Sequence, residues 1–499
     1  MADNWFKVLL CVLLLGLRVF ATGAQSLKGS ALNGSAAGGL SGFWVSMPDS
    51  NTLAVGAPYF GALDTAGQVQ VWQWQGADWQ PKGLSLNGPH PFSCFGASVS
   101  MPDANTLAVG APYYSDSNLY TGLVRVFLWK NGSWIQKGSD LTGLNDWDRF
   151  GYQLDMPDSN TLAVSSPFAS SGAWPGAGIV QVYRWNGFQW TLKGQPLTGQ
   201  AAETYLGLSL NMPDSLTLAV GAPWADLGAP LSSSVSVYQW NGTNWQIKGA
   251  PLVTSQMLSF FGNSVSMPDA ETLAIGEPAY GPFQEGRTWI YQWQGNQWVP
   301  KGAPLIGTAN DYSGFSVAMA DSETMVIGAP GNFVTLEIFS YTNPLPGRCY
   351  VYQWNGTGWT LQGIVPEGDA AGDNMGTRVS MPDPKTFATG LPFHDAGGPD
   401  AGQARVYSEL AVTSQTSKHP ASWLNVFPNP SDGMIIVNLQ METEAAELTL
   451  RNLMGQVVHQ QLICAGSTHR LMLPQQPGLY LLEAVGGNGK VQHGTILRK

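Results

Sequence analysis

The chain has 499 residues, of which 44% are apolar and only 11% charged, with 60 Gly, 33 Pro and 20 Trp. That composition suits several hundred residues of turn-rich β-structure around a large core, not a helical protein. A net charge of -11 offers a polyanion neither a basic patch nor a favourable field, which excludes nucleic acid as a partner.

Residues 1–24 read as an export signal: Lys7 gives a positive start, residues 8–17 an apolar run, and Thr22, Gly23 and Ala24 a small-residue cleavage site. No stretch reaches the roughly 20 apolar residues of a spanning helix, so no transmembrane segment is expected after signal removal. Cys11 leaves with the signal and lies too deep in the apolar run for a lipid acceptor. Cys94, Cys349 and Cys464 show neither a disulfide framework nor zinc spacing.

Residues 25–410 are dominated by an internal repeat with seven copies. Each runs from a glycine through a short strand to a methionine, turns, and rises to a Gly-Ala-Pro-like end. The methionines are Met47, Met101, Met156, Met212, Met267, Met319 and Met381. Five residues before each stands Gly42, Gly96, Gly151, Gly207, Gly262, Gly314 or Gly376; eleven after each stands Pro58, Pro112, Pro167, Pro223, Pro278, Pro330 or Pro392. The stretch from Thr106 to Val109 is small and apolar, as a strand buried on both faces would be. An alternating third strand follows, with Val69, Val71 and Trp72 as one example. It ends in a Gly-containing turn flanked by tryptophans, such as Trp74 and Trp79 or Trp129 and Trp134, a hairpin signal that opens a fourth strand. The tryptophan pairs read as hairpin locks.

Four antiparallel strands per repeat of this length describe propeller blades. The seventh copy stops after Val406 and Tyr407 without its hairpin. The missing piece is at the N-terminus: Leu27, Lys28 and Gly29 match the fourth-strand ending Gln136, Lys137 and Gly138. Gly29 also precedes Gly42 by thirteen residues, as Gly83 precedes Gly96. The expected fold is therefore all-β, a seven-bladed propeller closed by an N-terminal strand.

The run Phe95, Gly96, Ala97, Ser98 and Val99 through Gly110, Ala111 and Pro112 resembles the FG-GAP repeat of integrin α-subunit propellers and their bacterial relatives, a likeness that covers residues 27–410. Some integrin repeats bind Ca²⁺, which needs about six to eight oxygen ligands. Here the turn offers Asp49, Asp103, Asp158, Asp214, Asp269, Asp321 or Asp383 with at most one further acid and no glycine. These aspartates read as turn caps; no metal and no cofactor is expected.

A polar linker is expected over residues 411–423. Beyond it, Leu424, Val426, Phe427, Pro428, Asn429, Pro430 and Gly433 lead into strand-like runs at residues 434–439 and 448–450. Gly455, Gly478, Tyr480 and the terminal Arg498 and Lys499 follow. This order resembles the type A C-terminal sorting domain of the Bacteroidota type IX secretion system across residues 424–499. The resemblance implies a small Ig-like β-sandwich recognised by the export machinery, passage through the periplasm, and release or attachment at the outer surface. An ordinary Ig-like accessory domain is the alternative.

Within the propeller stand two histidines, His90 and His394, and no His-Glu-x-x-His, phosphate loop or Gly-x-Ser-x-Gly elbow. Asp146, Asp148, Glu203, Asp311 and Asp373 lie in loops between blades, where paired acids would suit sugar hydrolysis. Acids in polar loops are ordinarily solvated, and no catalytic residue is assigned. The loops after the motif proline vary from eight residues (Pro278 to Gly286) to seventeen (Pro330 to Gly347), on the face opposite the constant turns. Tyr59, Tyr113, Tyr114, Phe168, Trp224, Tyr280 and Phe393 sit at or just after that proline. Asp64, Asp116, Asp226, Glu285 and Asp395 follow in the same loops. Aromatics with nearby acceptors suit a sugar ring or a protein loop; packing between blades is the competing role. The expected function is a secreted adhesion propeller binding an extracellular glycan or protein, with a glycan-active enzyme or a purely architectural surface protein as alternatives.

Overall fold

The computed structural model describes residues 25–61, 66–116, 119–224, 233–254, 256, 258–332, 345–363, 365–409, 424–427, 434–439, 446–452, 456–463, 468–476, 478–486 and 491–498. The export signal and the linker expected from the sequence lie outside the described residues. The chain divides into two compact units, residues 1–410 and 411–499.

Unit one is a ring of seven antiparallel sheets. Blade 1 runs Trp44–Asp49, Thr52–Ala57, Gln68–Trp74 and Trp79–Pro81 from axis to rim. The innermost strands of blades 2 to 7 are Ser98–Asp103, Leu154–Asp158, Ser209–Asp214, Ser264–Asp269, Ser316–Asp321 and Val379–Asp383; each touches its neighbour, and the seventh touches the first. Closure works as the sequence implies: Gln25–Leu27 pairs antiparallel with Gln403–Glu409, with Leu27 opposite Tyr407, and forms the rim of blade 7. Six blades add a feature that the sequence hid. After a looped-out segment, the outer chain returns as a two-residue strand on the third strand, as Leu86–Asn87 does on Gln68–Trp74.

The repeated glycines mark where blades touch. A Cβ on Gly56 would lie 2.1 Å from the Gly96 carbonyl oxygen of the next blade, and one on Gly390 only 1.7 Å from that of Gly42. The glycine of the Gly-Ala-Pro end and the glycine that opens the next copy thus press backbone against backbone at six seams; at the seventh, Ser165 takes the first place and faces Gly207. Around this seam every second strand is buried along its whole length, and all seven motif methionines are buried.

Polar ties complete six of the interfaces. The residue before the motif methionine accepts the methionine N–H of the following blade: Met101 to Ser46 at 3.0 Å, Met156 to Ser100 at 3.0 Å, Met212 to Asp155 at 2.7 Å, Met267 to Asn211 at 2.7 Å, Met319 to Ser266 at 3.0 Å and, across the closure, Met47 to Ser380 at 2.9 Å. The seventh place holds Ala318, which has no side-chain acceptor. In the turns beyond, the aspartates act as caps, Asp103 taking the Asn105 N–H at 2.7 Å and the Thr106 hydroxyl at 3.0 Å.

The tryptophan pairs do more than lock hairpins. Trp74 and Trp79 pack edge to face at 5.4 Å, and the second tryptophan of each pair donates its Nε1–H to a lysine carbonyl of the preceding outer strand: Trp79 to Lys28, Trp134 to Lys82, Trp190 to Lys137, Trp245 to Lys193, Trp298 to Lys248 and Trp359 to Lys301. Each lysine ammonium lies over the same two rings, as Lys28 does at 5.0 and 5.4 Å. Burial holds all six lysines below the usual ammonium pKa. Blade 7 has no tryptophan pair, and the preceding outer strand carries Gln362 in the lysine place. Cys94 and Cys349 are buried, and burial pushes the Cys349 thiol up to about 12.

Unit two consists of two antiparallel sheets that suit a small sandwich. One orders Leu424–Phe427, Met434–Leu439 and Thr468–Met472; the other orders Val457–Ile463, Ala446–Asn452, Gly478–Gly486 and Val491–Arg498. Leu448, Leu450 and Leu482 of the larger sheet and Leu471 of the smaller are buried. Buried Tyr480 donates its hydroxyl to the Gln476 carbonyl at 2.8 Å. Pro428, Asn429, Pro430, Gly433, Gly455 and Lys499 lie outside the described residues, whereas Gly478 opens a strand.

Candidate functional site on the loop face

Strands one and two meet at the constant turns, so the loops between strands two and three, and from one blade to the next, share the opposite face. The segment entering each innermost strand has a fixed backbone. Four residues before the motif glycine, Gly38, Phe92, Trp147, Glu203, Leu258, Asn310 and Gly372 all take positive φ, and so do the residues two before it, from Leu40 to Asn374. At the first position Phe92 (φ 61°), Trp147 (φ 67°) and Leu258 (φ 57°) are bulky apolar residues in the left-handed region, yet 59%, 50% and 61% exposed. Such a backbone costs an L-residue about 1–2 kcal/mol, and no burial offsets it. Residue type alone hides this position; its constant offset from the glycine is the signal that would reveal it.

An aromatic arc runs between these anchors. Trp147 meets Tyr120 at 4.9 Å, Tyr120 meets Tyr113 at 5.3 Å, and the Arg149 guanidinium lies over both Tyr113 (4.7 Å) and Phe168 (4.3 Å). Phe168 continues to Tyr205 at 5.4 Å, Tyr205 to Trp224 at 6.2 Å and Trp224 to Phe260 at 5.4 Å. The residues singled out after the motif proline fall into separate groups. Phe393 is buried and Tyr59, Tyr113 and Phe168 are half-buried in one cluster with Leu40, Phe43 and Cys94, where they pack blade ends together. Tyr114 packs against His90 at 5.3 Å, and Tyr280 is covered by the Arg287 guanidinium at 3.6 Å. Trp224 and Asp116 are exposed; Asp64 and Asp226 lie outside the described residues.

Across blades 5 to 7 the loop ends are held by charge. Glu277 is fully buried and accepts from Arg287, from Trp289 Nε1 at 3.1 Å and from the Thr254 hydroxyl at 3.0 Å. Asp311, also fully buried, accepts the Tyr350 hydroxyl at 2.6 Å and the Thr308 N–H at 2.8 Å. Two loop acids are committed within their own turns, Asp148 taking the Asn145 N–H at 3.0 Å and Asp373 those of Asp369 and Ala370 at 2.8 Å, and Asp146 takes the Leu119 N–H of another loop at 2.9 Å. Burial raises the Asp148 carboxyl above the usual range. Glu203 is exposed.

Asp369, Asp373 and His394 bring potential metal-ligand atoms within 4.8 Å of one another. The chemistry of the group suits an ion pair better. Arg405 already donates to Asp369 and, with His394, holds its carboxyl below the usual range. His394 Nδ1 accepts the Ala396 N–H at 3.1 Å, which leaves the proton on Nε2, facing Asp369 at 3.0 Å, where a metal would need a lone pair.

These features define a seven-bladed β-propeller with a separate C-terminal β-domain. Residues 425–498 match the family model described as the secretion system C-terminal sorting domain. The chain is thereby a type IX-secreted protein of the cell surface or the extracellular space, and its tail engages the export machinery. The solved β-propeller domain of the Trilobed protease from Pyrococcus furiosus is similar to it at 8% identity and a TM-score of 0.38, over 69% of this chain and 89% of that one. No curated protein matches the chain. Among the described residues no helix is long and apolar enough to cross a membrane.

Proposed function

We propose that this protein is a secreted, non-catalytic recognition propeller whose loop face binds an extracellular partner. The observation that carries the proposal is the trio Phe92, Trp147 and Leu258, which combine a strained backbone with exposed apolar side chains at one repeated position. Strain and exposure at the same residues mark places kept for contact, not for folding. The mixture favours a protein over a glycan, because Leu258 and the upright ring edges of the arc offer a sugar little flat surface to stack on. The adhesion role implied by the FG-GAP resemblance of residues 95–112 agrees with this reading.

Glycine occupies the anchor position naturally as Gly38 and Gly372, so Phe92→Gly with Leu258→Gly removes two anchors while relieving strain. On arrays of matrix proteins and glycans, the full chain should bind a protein saturably. The double variant should lose about tenfold or more in affinity while melting no lower than wild type. Binding confined to glycans would move the ligand class. Cleavage of a bound oligosaccharide would put an enzyme in place of the proposal, and no binding on either array would favour an architectural role.

A further inference from the structure

All seven blades line one axial cavity of about 260 Å³. Two residues after the motif glycine, four blades carry a serine whose hydroxyl ties to the next blade: Ser98 to the Gly151 carbonyl, Ser209 to Gly262, Ser264 to Gly314 and Ser316 to Gly376, at 2.7–2.9 Å. Trp44, Gln153 and Arg378 take that place in blades 1, 3 and 7 and line the cavity.

Arg378 stands apart from the paired arginines. Arg125 has Asp140, Arg287 has Glu277, Arg348 has Asp311 and Glu367, and Arg405 has Asp369. Among the described residues Arg378 has no carboxylate partner. One hydrogen bond runs from its Nη1 to the Thr377 carbonyl at 3.1 Å, and its Nε is buried without a partner. Its guanidinium lies 4.3 Å from the Trp44 ring centroid. Stacking satisfies a guanidinium through its face and leaves its in-plane N–H fork for an oxygen ligand.

The rest of the lining is also rich in donors. Ser46, Ser266 and Ser380 accept methionine N–H groups, but no acceptor among the described residues takes their hydroxyl protons. The acid on this wall, Asp155, already accepts from Ser100, Met156, Asn211 and Met212 at 2.7–3.0 Å. Its capacity is spent, so this acid adds no open acceptor to the wall, and the amides of Gln153 and Asn263 can turn their donor ends inward.

We propose that the axial channel is an anion site, in which Arg378 grips a compact oxyanion group, a carboxylate, sulfate or phosphate, and the hydroxyls of Ser46, Ser266 and Ser380 complete the donor set. The site is separate from the loop-face anchors, and its ligand is recognised by the planar fork of the guanidinium.

Titration calorimetry of the full chain with sodium acetate, sulfate and phosphate, against sodium chloride at matched ionic strength, tests this. At least one oxyanion should bind saturably, one per chain, and the tightest identifies the group. Arg378→Gln should weaken it at least about tenfold, while the Phe92→Gly, Leu258→Gly variant keeps it, so the two proposals fail independently. Should Arg378→Gln not fold, Ser266→Ala serves in its place, since blade 6 already tolerates Ala318 at the equivalent position; a loss of roughly two- to tenfold is expected. No saturable uptake of any oxyanion, or unchanged affinity in either variant, overturns the proposal.

Discussion

The two faces of the propeller solve different problems with the same repeat. On the constant-turn side, one device recurs six times: a tryptophan pair, a lysine over both rings and an indole N–H on the lysine carbonyl. On the loop side the entry backbone recurs, but no single side-chain device does. Blades 2 to 4 use rings packed edge to face and bridged by Arg149, whereas blades 5 to 7 pair carboxylates with arginines, Glu277 and Asp311 buried and Asp369 exposed. One face therefore carries the ring's uniform stability, and the other is free to differ blade by blade, as a recognition surface must.

The largest expected effect breaks the uniform face. Trp79 is buried and joins blade 1 to the N-terminal closing segment through Lys28. Trp79→Ala should cost about 3–5 kcal/mol in denaturant unfolding; a cost near that of an ordinary surface change would mean the repeated pairs are not stability devices. A smaller effect isolates the cation. Lys137→Met keeps the packed stem but loses the ring contacts and the bonds to the Ser159 carbonyl and Asn160 Oδ1, and should cost about 1–2 kcal/mol.

The smallest effect sharpens the loop side. Asp369 is depressed by Arg405 first and His394 second, so its folded pKa lies below the unfolded value. Its stabilisation is then complete above the unfolded pKa and disappears as pH falls through the folded one. Because Asp369 is 63% exposed, solvent screening limits the effect to roughly 0.5 kcal/mol. Asp369→Asn should remove that acid-dependent part of the wild-type stability curve and leave binding at Phe92 and Leu258 unchanged.

Much of the architecture was legible because it rests on local chemistry repeated at fixed spacing. Gly96 and Pro112 flank a strand pair whose small residues fit only a double-sided interior, and Leu27, Lys28 and Gly29 betrayed the displaced rim strand. The functional surface was less legible. Tyr59 and Phe393 follow the motif proline as Trp224 does, yet the first two pack between blade ends and Trp224 reaches solvent; which way each ring turns depends on neighbouring loops. The lysines were visible only as part of a Lys-Gly ending, because their partners lie a whole blade away.

By itself the sequence determined the number of blades, the order of strands, the closure by the N-terminus and the presence of the sorting tail, since hydrophobic alternation, turn residues and constant spacing act within one repeat. Only the tertiary structure decided which aromatics are exposed, which acids are spent in turns, and that Arg378 stands in the axial channel with no carboxylate partner among the described residues. Those properties arise between blades, from groups brought together by the ring, and a charge or a ring has a partner only once the fold has placed one beside it.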